Sequence, residues 1–334
     1  MILGPTAGGK SELAVRLAEM VAALDGKPGQ IIGADSMQVY RHMDAGTAKP
    51  TPEQRQRVVH HLIDIVEPTE RFTVADWLAR ADATVERLQS EGVRPIVVGG
   101  TNLYVRAFLE GLFEGPPADP AFRATLEVVP VEELHTRLRA CDPAAAQRIA
   151  PTDRRRMIRA LEVYHLTGRP ISQWQEQWHD EPTNGASGYR HNPILIGLHW
   201  PAEAINPRIN LRVKAMFHPE KVDPELAAAV CIGGESLPQE VQRLEAAGLL
   251  GPQAREALGY KQVLAALAGG CTMEEAFEQT KIQTRRFARQ QRTWLRRFRD
   301  VHWLPAAELD AQTLAQKAFE IVATVDEPSG SGEE

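Results

Sequence analysis

Residues 4–11 read Gly-Pro-Thr-Ala-Gly-Gly-Lys-Ser, which fits the spacing G-x-x-x-x-G-K-[ST], and a helix-like stretch over residues 12–23 follows at once. In this pattern the glycines let the backbone turn so that successive N–H groups face phosphate oxygens. The helix N-terminus adds partial positive charge, Lys10 adds a full one, and the Ser11 hydroxyl is suited to ligate Mg²⁺. Gly4, Pro5, Thr6, Ala7, Gly8, Gly9, Lys10 and Ser11 are therefore candidates for holding a diphosphate or triphosphate, and the reaction stays open. Such a loop normally hangs from a central strand. Only Met1, Ile2 and Leu3 precede it, fewer than the ~5–6 residues of an ordinary strand, so the native start is expected upstream of Met1.

Residues 30–34 are apolar or small and would deliver Asp35 to the end of a buried strand; residues 61–65 and 94–101 are further strand candidates, separated by helical patterns of which 74–90 is the clearest. Short apolar runs alternating with helices predict an α/β fold, a doubly wound parallel sheet of the P-loop NTPase-like kind, with ligands at the carboxyl ends of the strands. Asp35 and Thr101 would then flank the phosphate loop. From residue 111 the texture changes. Pro116, Pro117 and Pro120 break the chain, and the stretch to about Thr167 reads as helices only. This predicts an inserted helical domain over 111–189 between two parts of a core, 1–110 and 190–325. Strand character returns at 193–198, helices are expected to finish the core, and the acidic, Ser/Gly-rich residues 326–334 are expected to be disordered.

Composition narrows the classes of function. With 334 residues the chain is about two domains long. Cys141, Cys231 and Cys271 stand far apart with no C-x-x-C, so neither a disulfide framework nor a zinc knuckle is indicated, and a reducing cytoplasm fits. No basic start followed by an apolar run opens the chain, and no stretch approaches the ~18 apolar residues of a membrane span. A soluble cytoplasmic monomer without a membrane partner is expected. The net charge of −6 hides an uneven distribution. Arg154, Arg155, Arg156 and Arg159 form one basic cluster, and Lys281, Arg285, Arg286, Arg289, Arg292, Arg296, Arg297 and Arg299 form another. A solvated helix face explains either alone; two clusters beside a phosphate loop favour nucleic acid.

Longer motifs then converge. Ala34-Asp-Ser-Met-Gln-Val-Tyr40, Met43-Asp-Ala-Gly-Thr-Ala-Lys-Pro50, His61-Leu-Ile-Asp64, Val98-Gly-Gly-Thr101, the run Asp153 to Glu162, Gly259-Tyr260 and the run Thr284 to Trp294 stand in order along nearly the whole chain. Together with the phosphate loop they resemble the bacterial tRNA dimethylallyltransferase (tRNA isopentenyltransferase) family. The resemblance implies transfer of a dimethylallyl group from dimethylallyl diphosphate to N6 of the adenosine 3′-adjacent to the tRNA anticodon, with release of pyrophosphate. It maps a diphosphate-clamping arginine onto Arg212, with Arg208 one turn earlier. It assigns contacts with the base and its neighbours to Asp35, Ser36, Met37, Gln38 and Thr101. The tRNA grip falls on Arg123 and on Arg155, Arg156, Met157, Ile158 and Arg159, with Gly259, Tyr260 and Lys261 in the core.

The implied chemistry suits these residues. An allylic carbon–oxygen bond breaks once its leaving diphosphate is neutralised, which the loop amides, Lys10, Mg²⁺ on Ser11 and Arg212 would do, with Thr6 hydrogen-bonding the bridging oxygen. The attacking adenine amine is a weak nucleophile that must lose a proton, and Asp35 fits as the base by position and by family. The sequence offers a rival role: apolar or small residues before an Asp resemble a strand that holds Mg²⁺ through water. Trp294 is open to stacking on a base or to packing in the core.

The chain departs from the family pattern in three places. Gly8 and Ser11 stand where Ser and Thr are usual; Phe287, Arg289 and Gln290 replace Tyr, Lys and Arg; and an extra segment between Met216 and Glu240, expected to be a surface loop, interrupts a compact helical passage. Two other functions remain to be weighed. An isopentenyltransferase for free adenine nucleotides would not need the inserted domain, and an ATP-binding P-loop kinase or ATPase would need a lid arginine set that the sequence does not reveal.

Overall fold

The computed structural model describes residues 1–112, 115–175 and 188–326. Six strands, β1 (Ile2–Leu3), β2 (Gln30–Ala34), β3 (His60–His61), β4 (Pro95–Gly99), β5 (Leu195–His199) and β6 (Val301–Pro305), form a sheet in the order β3-β2-β4-β1-β5-β6. All of its pairs are parallel. Although β1 is only two residues long, Ile2 and Leu3 pair with Val98 and Gly99 on one side and with Ile196 and Gly197 on the other. Covered on both faces, these strands need continuous apolar runs, and Ile-Leu, Ile-Val-Val and Leu-Ile supply them. On one face of the sheet's core, the helix Val74–Ser90 buries Trp77, Ala81, Val85 and Leu88, one per turn, behind a Thr73–Asp76 capping box. The chain winds to one side of β1 through β2, β3 and β4, then crosses to the other for β5 and β6. The carboxyl end of β1 is therefore a topological switch point, where α/β sheets bind ligands.

Three expectations are corrected. The run 61–65 leaves the sheet after His61, because Leu62 and Asp64 adopt φ of 62° and 56°. Asp64 turns inward there to receive Lys49 (2.5 Å) and Arg55 (2.7 Å). The chain end is not all helical: Val301–Pro305 adds the edge strand β6, whose His302 and Trp303 are exposed and so break the apolar run that marks a buried strand. The extra segment is not a loop. It forms a short 3₁₀ turn, Pro219–Lys221, and a helix, Pro224–Val230, that starts on Pro224 with the Asp223 side chain accepting the Glu225 and Leu226 N–H groups.

The chain divides into two compact units, one made of residues 1–109 with the chain from Tyr189 onward, the other lying within residues 110–188. The second contains the helices Pro120–Glu127, Val131–Cys141, Pro143–Arg148, Arg154–Thr167 and Ile171–Trp174. They enclose their own apolar cluster, including Leu126, Leu134, Leu138, Met157 and Val163. Of the tail expected to be disordered, residues 326–334, Asp326 ends the helix Ala311–Asp326 and residues 327–334 lie outside the described residues.

Candidate functional site

The phosphate loop leaves β1 at Gly4 and turns back on itself. The Pro5 carbonyl accepts the Gly8 N–H (3.2 Å) and the Lys10 ammonium (2.8 Å). Ala7 and Gly9 take φ of 59° and 87°, and Gly9 opens the helix Lys10–Met20. A Cβ at position 8 would stand 2.8 Å from the Pro5 oxygen, beside the Trp200 indole, whose N–H donates to the Gly8 carbonyl (3.0 Å). In this conformation the loop has no room for the serine usual in the family. Gln291, 2 % exposed, lies in the helix Met273–Leu295 and holds the loop from behind. Its Oε1 accepts the Thr6 N–H (2.8 Å) and its Nε2 donates to the Gly100 carbonyl (2.6 Å). Sequence reasoning gave Gln291 no role; its signal was an uncharged amide on the buried line Ala288, Gln291, Leu295 of an arginine-rich helix.

Cationic groups converge on this loop. The helix Ala202–Phe217 carries Arg208, which donates to the Ala7 carbonyl (3.1 Å) and lies over the Trp200 ring at 4.8 Å. One turn on, Arg212 donates to the Thr6 hydroxyl oxygen (3.4 Å). Burial pulls the Lys10 ammonium down to about 8, the Arg212 charge pushes the same way, and Asp35 opposes both. Burial also lowers Arg212, to about 10, again against Asp35. Asp35 is thus close enough to feel both cations. Its Oδ1 accepts the backbone N–H groups of Met37 (2.8 Å) and Gln38 (3.3 Å), which fixes the turn after β2. The Thr101 hydroxyl accepts the Ser36 N–H (3.4 Å) and ties this turn to the end of β4.

Two cavities meet here. One, of about 410 Å³, runs along the phosphate loop from Thr6 to Ser11 and takes in Gln38 and Arg208. The other, of about 500 Å³, takes in Ser36, Met37 and Thr101. Thr6, Ala7, Asp35, Thr47, Arg212 and Phe287 line both, so Asp35 stands at the junction. The wall of residues 38–50 is held by buried polar groups. The Gln38 amide donates to the Thr47 and Ala48 carbonyls (3.1 and 3.0 Å), and Lys49, 3 % exposed, reaches the Tyr40 carbonyl, Asp44 and Asp64.

The same wall corrects one expected contact. Tyr260 is fully buried and lines neither cavity: its hydroxyl donates to Glu240, whose other oxygen accepts the Asp44 and Ala45 N–H groups (2.9 Å each). Its ring lies where a Cβ on Gly46 would be, 2.3 Å from Cε2, so glycine is required at position 46. Gly259 precedes this helix as its N-cap, and Lys261 is exposed and paired with Glu256 (2.7 Å). Trp294 meets Phe298 edge-on at 5.1 Å and packs against the core.

In the helical unit Glu162 is fully buried and collects two of the expected grip residues. Arg123 donates to both its oxygens (2.7 Å each), Arg159 donates to one (2.7 Å), and the Asp119 N–H adds a third partner (2.7 Å). Burial pushes this carboxyl up, but Arg123, Arg159 and Asp119 together hold it below the ordinary range. Met157 and Ile158 are buried at 0 % and 3 % exposure, so their side chains serve the unit's core and are not available as contacts. Arg155 and Arg156 face solvent.

A short parallel sheet with a phosphate loop at its switch point, cations over that loop and a carboxylate where two cavities meet define a P-loop α/β group-transfer protein. Residues 38–298 match the model of the IPP transferase family. A tRNA dimethylallyltransferase from Geobacter sulfurreducens is 43% identical over 328 residues, covering 96% of each chain. One from Thermobifida fusca is 44% identical over 326 residues, 96% of this chain and 93% of that one. The solved tRNA isopentenylpyrophosphate transferase from Bacillus halodurans superposes with a TM-score of 0.66 at 35% identity, covering 97% of this chain and 94% of its own. The chain belongs to the IPP transferase family.

Proposed function

We propose that this protein transfers a dimethylallyl group from dimethylallyl diphosphate to N6 of the adenosine 3′-adjacent to the anticodon of tRNA, acting as a monomer. The observation that carries the reading is the junction: Thr6, Asp35 and Arg212 line both cavities, so a donor held on the phosphate loop and a base entering from the other side would meet there. The loop amides, Lys10, Arg208 and Arg212 take the diphosphate and stabilise the charge that grows on it as the allylic bond breaks. Asp35, with Oδ1 committed to backbone amides, offers its other oxygen to the proton leaving N6. An adenosine flipped out of the anticodon loop reaches that oxygen through the second cavity, past Ser36, Met37 and Thr101.

Mg²⁺ fits the site in one way. Among the described residues no group of three or more His, Cys, Asp or Glu side chains is placed to hold a metal, whereas the Ser11 hydroxyl is exposed on the cavity wall. An ion bound by Ser11 would keep mostly diphosphate and water oxygens as ligands, the habit of Mg²⁺, and would supply charge neutralisation to the leaving group.

The test is nucleoside mass spectrometry of unmodified tRNA incubated with the protein, Mg²⁺ and dimethylallyl diphosphate, beside AMP and ADP as acceptors and an ATP hydrolysis assay. The reading expects N6-dimethylallyladenosine in tRNA alone. Prenylated AMP with unmodified tRNA, or ATP turnover without transfer, would replace it by one of the two alternatives.

A further inference from the structure

The segment that interrupts the family pattern stands against the phosphate-loop cavity and is built as a fixed wall. Its helix Pro224–Val230 is capped by Asp223, and beyond it the Cys231 thiol donates to the Ala215 carbonyl (3.4 Å). Val230 and Cys231 are 4 % and 6 % exposed, so the helix is anchored on the helix Ala202–Phe217. Leu226, Ala229 and Val230, spaced i, i+3 and i+4, share one face and line the first cavity. Leu211 joins them: it is 49 % exposed, lies between Arg208 and Arg212, and lines the same cavity.

Four apolar residues beside a phosphate loop do nothing for phosphate, which is held by N–H groups, Lys10 and the arginines. They suit a hydrocarbon. Nor do they suit tRNA: residues 219–235 hold one lysine against four acids, and none of them lines the second cavity. A negatively charged segment repels a phosphate backbone.

We infer that Leu226, Ala229 and Val230, with Leu211, form the apolar wall that receives the five-carbon group of the allylic diphosphate, so that this segment discriminates a prenyl diphosphate from a bare one. The inference rests on the donor proposed above. It is tested without transfer, by calorimetric binding of dimethylallyl diphosphate and of inorganic pyrophosphate to the full chain with Mg²⁺ and no tRNA. The wild type binds the prenyl compound more tightly than pyrophosphate. Leu226→Ser weakens dimethylallyl diphosphate about tenfold, the worth of one or two methylene groups, and leaves pyrophosphate within about twofold. Ala229→Ser, at an exposed position where misfolding is not a concern, shifts the ratio the same way by a smaller factor. Equal weakening of both ligands by Leu226→Ser, or an unchanged ratio in both variants, overturns the wall. Because no acceptor is present, that outcome is separate from failure of tRNA prenylation, which overturns only the proposed reaction.

Discussion

Asp35→Asn separates the two roles open to this carboxylate. The structure makes the substitution clean, because an asparagine carbonyl can still accept the Met37 and Gln38 N–H groups that Asp35 Oδ1 accepts at 2.8 and 3.3 Å. The turn after β2, and with it Ser36 and Gln38, should therefore hold its place. What is lost is the basic oxygen, worth ~10²–10⁴-fold in the transfer rate. What is also lost is a negative charge that faces the incoming diphosphate and that raises the protonation of Lys10 and Arg212. Removing that repulsion is worth roughly 1 kcal/mol in a partly solvated site, so donor affinity should stay the same or improve by up to about fivefold. The expected pattern is a fall in kcat of two to four orders of magnitude with an unchanged or lower KM for dimethylallyl diphosphate, read from steady-state prenylation of unmodified tRNA and confirmed by single turnover. Recovery of a near-normal rate at high Mg²⁺ would refute the base assignment and make Asp35 the residue that holds the ion through water. A raised donor KM would refute the electrostatic part.

With the Lys10 ammonium lowered from 10.5 to about 8, pyrophosphate affinity should decline as pH rises through about 8, because only the protonated form attracts phosphate, and should decline at lower pH in Asp35→Asn; affinity flat to pH 9.5 would sink this. Gln291→Leu strands the Thr6 N–H and the Gly100 carbonyl, and should cost ~2 kcal/mol in urea unfolding together with a weaker donor Kd; an unchanged Kd would show that the loop holds its shape without this brace. Arg155→Ala with Arg156→Ala should leave Tm within a degree or two and flatten the log–log salt dependence of tRNA binding by about 1–2 units. Arg123→Ala should instead loosen the helical unit by ~2 kcal/mol, discounted for a guanidinium that is 30 % exposed, as read by hydrogen exchange over residues 154–167. Since Glu162 is held below its ordinary range, that stabilisation is present above about pH 4.5 and lost as pH falls through the lowered value, so the variant and wild type should converge in acid.

The phosphate loop, Asp35 and Thr101 were legible because each is tied to a backbone feature the sequence reports directly: a glycine spacing, and the end of an apolar run. Gln291 was not, since the partners it joins, Thr6 and Gly100, lie 285 and 191 residues away. The edge strand β6 was missed for a different reason. A strand of five residues in which His302 and Trp303 are both exposed lacks the continuous apolar run that marks the buried strands.

Three of the residues expected at tRNA, Arg123, Arg159 and Tyr260, are each held by a buried acid. A motif reports which side chains matter without reporting which way they face, and a buried acid decides the direction. Glu162 and Glu240 are 0 % and 2 % exposed, and a carboxylate so placed is costly unless its lone pairs are taken up by donors. Glu162 therefore draws in Arg123 and Arg159, and Glu240 draws in Tyr260 together with the Asp44 and Ala45 amides. Of these links only Arg159 to Glu162, three residues apart on one helix, is visible locally. The consequence reaches the chemistry through Glu240: by fixing Asp44 and Ala45 it holds one end of the wall whose other end is Lys49, and Thr47 between them lines both cavities. Tyr260 thus acts on the site through the wall behind it, and the hydroxyl of a buried residue that lines neither cavity still bears on the shape of their junction.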